Sequence, residues 1–262
     1  MPMADLGDLS LHYDLTGPEG APPLVLIHAL GTDLRLWDAV LPLLPPGLRV
    51  LRFSLRGHGL SDAPPAPYAM GALVRDAERL IDHLGQREAV VVGLSIGGLV
   101  AQGLAVKRLD LVRALVLSNT AARIGNADAW AQRIALIEAQ GLDSIADATL
   151  ERWFARPFRT SAQARLWRNM VTRTPLAGYL GCSAAIAGTD FYTTTAGLRL
   201  PLLGIAGSED GSTPPDLVRE TVDLVPGARF VLIGGAGHLP VVDQPEVWAA
   251  HVGQFLRDIG HC

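Results

Sequence analysis

The chain has 262 residues, of which 49% are hydrophobic and 18% are charged, and its formal net charge at pH 7 is −4. This size and composition suit one large α/β domain or two small domains, and they exclude a chain that is disordered throughout. The small net charge gives no reason to expect a nucleic-acid partner. The two cysteines form no disulfide framework and no metal motif. The sequence has no signal-peptide pattern and no long apolar run, which argues against secretion and membrane insertion.

The first half of the chain alternates short apolar runs with a helical pattern. Residues 10–15 (SLHYDL) alternate apolar and polar side chains, which predicts a half-buried strand at an edge of a sheet. Continuous apolar runs at 23–29 and 48–55 are typical of parallel strands buried on both faces. Residues 69–84 have apolar residues at helical spacing and end at Gly85, which favours a helix C-cap.

The same alternation continues around the middle of the chain and after it. The predicted strands are 88–95 (EAVVVGLS), 112–120, 200–207 and 228–235, and the predicted helices are 96–109, 214–225 and 245–259. Strands that alternate with helices in this way indicate a mostly parallel, doubly wound sheet.

Residues 121–198 differ, because they show helical patterns and no clear strand before TDFYTTT at 189–195. We interpret them as a helical cap, or lid, on an α/β core formed by residues 1–120 and 199–262. This segment has eight arginines and six acidic residues in a chain that is acidic overall. The contrast favours an anionic ligand, although most of these arginines are expected on solvated helix faces.

Residues 93–97 (GLSIG) place Ser95 in a G-x-S-x-G motif between a buried strand and a helix. In that context the motif predicts a sharp turn that exposes the serine hydroxyl as a nucleophile, and the two glycines allow neighbouring backbone to pass closely. The alternative is a glycine-rich strand-to-helix turn with an incidental serine.

A nucleophilic serine needs a base and an acid. His238 follows the last predicted strand, so it lies at the same carboxyl edge of the sheet as Ser95. Of the other histidines, those at 83 and 251 fall within helices, the one at 12 lies on the first strand, and the one at 261 lies at a terminus expected to fray. Asp210 follows the preceding strand and is the predicted acid, with Glu209 as the alternative.

The predicted oxyanion hole uses the backbone N–H groups of Leu30 and Ile96. Leu30 lies in the loop IHALG, directly after a buried strand, and Ile96 begins the helix after the serine. His28 is expected to shape this loop through hydrogen bonds, and the stretch RGHGLSD at 56–62 is expected to be structural, with His58 and Asp62 fixing loops.

With these motifs in place, the chain resembles the α/β-hydrolase superfamily over nearly its whole length, and within it the 3-oxoadipate enol-lactonases (β-ketoadipate enol-lactone hydrolases). The finer likeness rests on HALGTDLRLWD, VGLSIGG, GYLGCSAAIAGTDFY and GSEDGSTPPDLVRE. The resemblance implies a helical cap after the sixth strand and the chain order Ser95, Asp210, His238. It also implies a cytoplasmic enzyme of aromatic catabolism that needs no cofactor or metal.

The substrate implied by the resemblance is a small anionic lactone, so the cap should supply an anion partner and apolar walls. Trp130, Arg133 and Trp153 are the candidates, although tryptophans in a cap often serve only in packing. The same fold with another small acyl substrate, as in a carboxylesterase or a carbon–carbon bond hydrolase, is the main alternative. A cofactor-free haloperoxidase or perhydrolase would share the triad, and a receptor on this scaffold would show little turnover.

Overall fold

An eight-stranded sheet organises the computed structural model, which describes residues 2–262. Its strands are β1 (Met3–Asp5), β2 (Ser10–Thr16), β3 (Pro23–Ile27), β4 (Arg49–Phe53), β5 (Ala89–Leu94), β6 (Val112–Ser118), β7 (Leu202–Gly207) and β8 (Arg229–Ile233). Their order in the sheet is β1-β2-β4-β3-β5-β6-β7-β8. β2 is antiparallel to both β1 and β4, and every other pairing is parallel. The predicted α/β class with a mostly parallel sheet is confirmed.

The central strands are buried along their length because helices cover both faces of the sheet. In β5 and β7 every residue is buried. The register places Val25 of β3 between Leu51 of β4 and Val91 of β5, so branched aliphatic side chains stack across the sheet. This packing explains the uninterrupted apolar runs in the sequence.

Eleven helices accompany the sheet within residues 2–262. Helices α1 (Met70–His83) and α2 (Ile96–Lys107) precede a group of six between β6 and β7. These six are α3 (Ala127–Gln140), α4 (Asp143–Trp153), α5 (Arg156–Arg159), α6 (Ala164–Thr172), α7 (Leu176–Ala187) and α8 (Tyr192–Ala196). Helices α9 (Pro215–Asp223), α10 (Pro240–Asp243) and α11 (Pro245–Asp258) follow, and short 3₁₀ turns occupy Leu34–Trp37 and Leu41–Leu43. We call residues 121–198 the inserted segment.

The inserted segment is joined to the core through α7. Gly57 and Gly178 meet back to back, and a Cβ at Gly178 would overlap the Gly57 carbonyl. Beside them, the Tyr68 N–H donates to the Gly181 carbonyl over 3.2 Å, and a Cβ at Gly181 would lie 2.6 Å from the Tyr68 ring. Glycine is required where two backbones approach this closely.

Three local predictions were wrong. β2 is not an edge strand, because the short strand β1 pairs with its outer side. Residues 192–196 form a helix rather than a strand, and the Asp190 carboxylate accepts the Tyr192 N–H at its start. His261 does not fray, because its side chain is buried and its Nε2 lies 2.9 Å from the Pro23 carbonyl oxygen. None of the helices in residues 2–262 is both long and apolar enough to cross a bilayer.

Candidate active site

Ser95 lies on a strained turn between β5 and α2. Its backbone has φ +57° and ψ −119°, a conformation that L-residues adopt rarely and at a cost of about 1–3 kcal/mol. Two hydrogen bonds hold the turn: the Ser95 N–H donates to the Ser118 carbonyl over 3.2 Å, and the Thr120 hydroxyl donates to the Ser95 carbonyl over 2.6 Å. The end of β6 therefore fixes the serine at the carboxyl edge of the sheet.

The glycines on either side of Ser95 have a steric function. A Cβ at Gly93 would overlap the backbone of Gly97, and a Cβ at Gly97 would overlap the Ile27 carbonyl at the end of β3. Without these side chains, the first turn of α2 packs directly on β3 and β5. The N-terminus of α2 is thereby brought close to the loop that follows β3.

Asp210 and His238 form a buried pair after β7 and β8. Asp210 Oδ2 lies 2.8 Å from His238 Nδ1. The side chains are almost completely buried, at 0% and 2% exposed. Because Asp210 occupies Nδ1, the neutral imidazole carries its proton there and leaves Nε2 free to accept another. Glu209, the alternative acid, is exposed.

The Asp210 carboxylate has further donors besides His238. Oδ1 accepts the N–H groups of Ser212 (2.7 Å) and Thr213 (2.9 Å), and Oδ2 accepts the Thr213 hydroxyl (2.8 Å) and the Asn119 amide (2.9 Å). Burial alone would raise the pKa of Asp210, but the His238 charge and these hydrogen bonds lower it below its ordinary value. The acid is therefore held ionised and fixed in orientation.

Asn119 is a site residue that sequence reasoning missed. It follows β6 in a left-handed conformation, with φ +48°, and is fully buried. Its Nδ2 donates to Asp210 and, over 3.2 Å, to the Gly237 carbonyl beside the histidine. The Ser118 hydroxyl donates to its Oδ1 over 2.9 Å, and the Trp248 indole donates to Ser118 over 3.2 Å. The signal in the sequence that could have found Asn119 is the pair of polar residues, Ser118 and Asn119, at the carboxyl end of a buried strand.

The amides expected to form the oxyanion hole have no partner within the part of the chain that the structure describes. Neither the Leu30 N–H nor the Ile96 N–H donates a hydrogen bond there. The next amide along the loop, that of Gly31, instead donates to His58 Nε2 over 3.0 Å. The loop after β3 is therefore fixed from behind while the Leu30 amide remains free.

His28 and His58 are buried and position this loop through hydrogen bonds. His28 Nε2 accepts the Leu55 N–H over 2.8 Å, and its Nδ1 lies 2.8 Å from the Ala29 carbonyl oxygen. Burial lowers the pKa of His28 to about 4 and that of His58 to about 3, so both rings are neutral at pH 7. The expected loop-fixing roles also fit Asp62, whose carboxylate accepts the Ser10 N–H over 2.7 Å.

The nucleophile and the base are both largely buried. Ser95 is 8% exposed and His238 is 2% exposed. The hydrogen bonds within residues 2–262 do not include one from the Ser95 hydroxyl to His238 Nε2. In unliganded enzymes this contact is often long and forms only with substrate bound.

The end of α4 covers the loops that carry the acid and the base. The Trp153 carbonyl accepts the His238 N–H over 2.7 Å and the Leu239 N–H over 3.3 Å. The Arg152 carbonyl accepts the Gly211 N–H over 3.1 Å. The inserted segment is therefore hydrogen-bonded to the residues directly beside Asp210 and His238.

The three predicted cap residues have different surroundings. Trp130 packs at the start of α3, where its indole N–H donates to the Ile124 carbonyl over 2.7 Å. Trp153 is buried, and a Cβ at Gly31 would lie 3.7 Å from its ring. Arg133 donates to the Tyr179 hydroxyl over 2.7 Å, and the Tyr179 ring lies against the same glycine. Trp153 thus lies beside the loop after β3 and Arg133 is connected to that loop through Tyr179, whereas Trp130 contacts residues 124–126.

Within residues 2–262, no group of three or more His, Cys, Asp or Glu side chains is arranged to hold a metal ion. The site consists of Ser95 on the strained turn between β5 and α2, the Asp210–His238 pair, and the backbone amides of Leu30 and Ile96. This set can perform acyl transfer through a covalent intermediate.

Comparison with known proteins agrees with this geometry. Residues 24–251 match the alpha/beta hydrolase family. Over 260 residues the chain is 30% identical to 3-oxoadipate enol-lactonase 2 of Acinetobacter baylyi, covering 95% of this chain and 94% of that protein. The crystal structure of the enol-lactonase from Burkholderia xenovorans has a TM-score of 0.94 and 34% identity, covering 98% of this chain and all of that one.

A thermophilic esterase from Thermogutta terrifontis, solved with malate bound, has a TM-score of 0.89 and 29% identity, covering 96% of this chain and 94% of that one. Together these similarities confirm the resemblance that the motifs predicted.

Proposed function

The chain belongs to the α/β hydrolase family, and on that premise we propose that it is a serine hydrolase that opens 3-oxoadipate enol-lactone to 3-oxoadipate. The observation that carries the proposal is the buried contact of 2.8 Å between Asp210 and His238 at the sheet edge where Ser95 sits on its elbow. The similarity to two enol-lactonases over almost the whole chain supports the choice of substrate.

In the proposed reaction Ser95 Oγ attacks the lactone carbonyl carbon while His238 Nε2 takes the hydroxyl proton. The oxyanion of the tetrahedral intermediate accepts hydrogen bonds from the Leu30 and Ile96 amides, helped by the N-terminus of α2. Asp210 stabilises the imidazolium that forms.

When the intermediate collapses, the ring C–O bond breaks and the enol oxygen takes the proton from His238. The enol leaves more readily than an alkoxide would, and it tautomerises to the ketone while the acyl group stays on Ser95. A water molecule then gives a proton to His238 and attacks the acyl carbon. The second collapse returns that proton to Ser95 and releases 3-oxoadipate, so the cycle needs no metal or cofactor.

We assign residues 121–198 as the cap and residues 1–120 and 199–262 as the hydrolase core. The cap carries eight arginines and six acidic residues, which suits a substrate with a free carboxylate. Arg133 is the proposed anion partner and Trp153 an apolar wall, because Trp153 lies beside Gly31 in the loop after β3 and Arg133 bonds Tyr179, whose ring lies against the same glycine. The pathway would be the cytoplasmic catabolism of aromatic compounds.

A second candidate is a carboxylesterase that acts on another small, carboxylate-bearing acyl compound. It is favoured by the similarity to an esterase whose structure contains malate, a dicarboxylate. The catalytic residues and the acyl-enzyme would be the same, and only the leaving group and the fit of the acyl chain would differ.

The test is hydrolysis of freshly generated 3-oxoadipate enol-lactone, followed by its loss of ultraviolet absorbance, beside a neutral aryl acetate. We expect kcat/KM for the lactone of about 10⁵ M⁻¹ s⁻¹ or more, far above that for the acetate. Ser95→Ala is the control and should abolish both activities. Turnover of the acetate alone would reject the lactonase and favour the esterase.

A further inference from the structure

Two arginines of the inserted segment are half-buried and form no ion pair with any residue that the structure describes. Arg133 lies on α3 and Arg152 on α4, and within residues 2–262 neither forms an ion pair with a carboxylate. Of the other arginines in the segment, Arg168 pairs with two aspartates and Arg123 with one. The remaining four are exposed, at positions 156, 159, 165 and 173.

The two guanidinium groups converge on one hydroxyl. Arg133 Nη2 donates to Thr149 Oγ1 over 2.9 Å and to the Tyr179 hydroxyl over 2.7 Å. Arg152 Nη2 lies 3.5 Å from the same Thr149 oxygen. Two positive charges are therefore held side by side with only neutral protein partners.

This arrangement lacks hydrogen-bond acceptors. Arg133 Nε is buried and has no partner in residues 2–262. Burial lowers the pKa of Arg152 from its ordinary value, and the nearby charge of Arg133 lowers it further. Because arginine stays protonated in proteins, the pair holds two positive charges that no ion pair in the described part of the chain neutralises, and a buried unpaired donor is costly. An anionic ligand would supply both the missing charge and the missing acceptor.

The pair lies at the edge of the proposed active site. The Tyr179 ring that receives Arg133 packs on Gly31, next to the free Leu30 amide. On the other side, the Arg152 carbonyl accepts the N–H of Gly211, which follows Asp210. The two arginines are thus connected to the loop that carries Leu30, through Tyr179, and to the loop that carries Asp210, through the Arg152 carbonyl.

We propose that Arg133 and Arg152 together form a carboxylate-binding subsite, which receives the end of the acyl compound remote from the bond that is cleaved. Arg133 is held in place by Thr149 and Tyr179, while Arg152 has only one long side-chain hydrogen bond and so provides most of its donors to the ligand. The inference rests on the proposed function, because it assigns the substrate's free carboxylate to this pair. It adds Arg152 to the binding residues and restricts the acyl compounds to those that carry a second carboxylate.

The experiment is isothermal titration calorimetry with adipate, a six-carbon dicarboxylate, and with uncharged adipamide, on the full chain. We expect Arg152→Gln and Arg133→Gln each to weaken adipate binding by about 10- to 100-fold, because each removes charge-assisted hydrogen bonds. Arg133→Lys should lose less than Arg133→Gln. Arg165→Gln, which removes an exposed arginine of the same segment, is the matched control and should leave the Kd for adipate within about 2-fold of wild type.

Failure of adipate to bind the wild-type chain at millimolar concentration, or unchanged binding to Arg152→Gln, would overturn the inference. Thermal unfolding of each variant separates loss of binding from loss of folding, and Arg152→Gln alone suffices if Arg133→Gln does not fold. Lactone turnover on the same preparations separates this inference from the proposed function. If the lactone is turned over but adipate binding does not depend on Arg152, only the subsite is rejected. Arginine-dependent adipate binding without lactone turnover retains the subsite and rejects the lactone.

Discussion

Asn119 donates from its side-chain amide to Asp210 Oδ2 over 2.9 Å, and the same oxygen contacts His238 at 2.8 Å. The acid is thus positioned from the end of β6 as well as from its own loop. Ser118 and Trp248 hold the asparagine in turn, so that a chain of buried hydrogen bonds runs from α11 to the imidazole. Such a network fixes the direction in which the carboxylate presents its charge.

We expect Asn119→Ala to lower kcat by about 10- to 100-fold with little change in KM, since the acid loses one positioning donor. Loss of that donor also raises the pKa of Asp210, so the acidic limb of the kcat–pH profile should move to higher pH. Asn126→Ala removes an exposed asparagine that caps α3 and is the control. It should change stability but not the pH profile, and an equal shift in both variants would contradict a positioning role for Asn119.

Ser95→Ala and Ser95→Gly should both reduce kcat by about 10⁴- to 10⁶-fold, because each removes the nucleophile. They should differ in stability. Residue 95 has φ +57°, which a Cβ disfavours, so the glycine variant should be more stable than the alanine variant by about 1 kcal/mol. Urea unfolding measures this difference. A glycine variant less stable than the alanine variant would show that the turn is not strained, because glycine loses more conformational entropy on folding.

Asp210→Asn should lower kcat by about 10³- to 10⁴-fold, because an amide that donates towards His238 Nδ1 favours the wrong tautomer. Glu209→Gln changes the neighbouring exposed carboxylate and should leave kcat within about 2-fold. The two variants differ by one position in the same loop, so they form a matched pair. Steady-state rates that fall in Glu209→Gln and persist in Asp210→Asn would transfer the acid to Glu209.

The buried histidines predict that acid destabilises the fold. In the unfolded chain, His28 and His58 bind protons as the pH falls below the ordinary histidine pKa of 6.5. In the folded protein, burial lowers their pKa values to about 4 and about 3. Unfolding therefore binds protons between pH 6.5 and 4, and each histidine removes up to ~1.4 kcal/mol of stability per pH unit as the pH falls. Burial of Asp243 raises its pKa to about 6, which offsets part of this loss because its proton favours the folded state.

We therefore expect His58→Gln to reduce the stability lost between pH 6.5 and 4.5 by about 2 kcal/mol, measured by urea unfolding at the two pH values. His83→Gln removes an exposed histidine at the end of α1 and should leave the difference between the two pH values unchanged. A pH dependence in His58→Gln equal to that of wild type would refute the assignment.

The sequence predicted those features that local sterics or chain order determine. Gly93 and Gly97 mark the close approach of backbone around Ser95, which the motif predicts. Residues that follow parallel strands meet at one edge of the sheet, and this rule predicted that Asp210 and His238 lie together. Asn119 was missed because its role depends on β6 lying between β5 and β7, a neighbour relation that spacing does not contain.

The inserted segment was harder to predict because its contacts are long-range. Arg152 has the same local pattern as solvated arginines, and only the folding of α4 onto the loop at Gly211 distinguishes it. Residues 189–195 have high strand propensity, yet the structure places a helix at Tyr192–Ala196, in which the Thr195 hydroxyl donates to Gln102 of α2 over 2.8 Å. Tertiary contact overrides propensity in such short stretches.

The hydrogen bonds that the Arg152 and Trp153 carbonyls accept from Gly211, His238 and Leu239 also constrain how a ligand enters. A hinge that swung the whole segment away from the sheet would break all three and misalign the acid and the base at each turnover. The contact of Gly57 with Gly178 locks α7 in the same way. We therefore expect a ligand to reach Ser95 without separating these contacts, so that the loops carrying Asp210 and His238 stay in place during turnover.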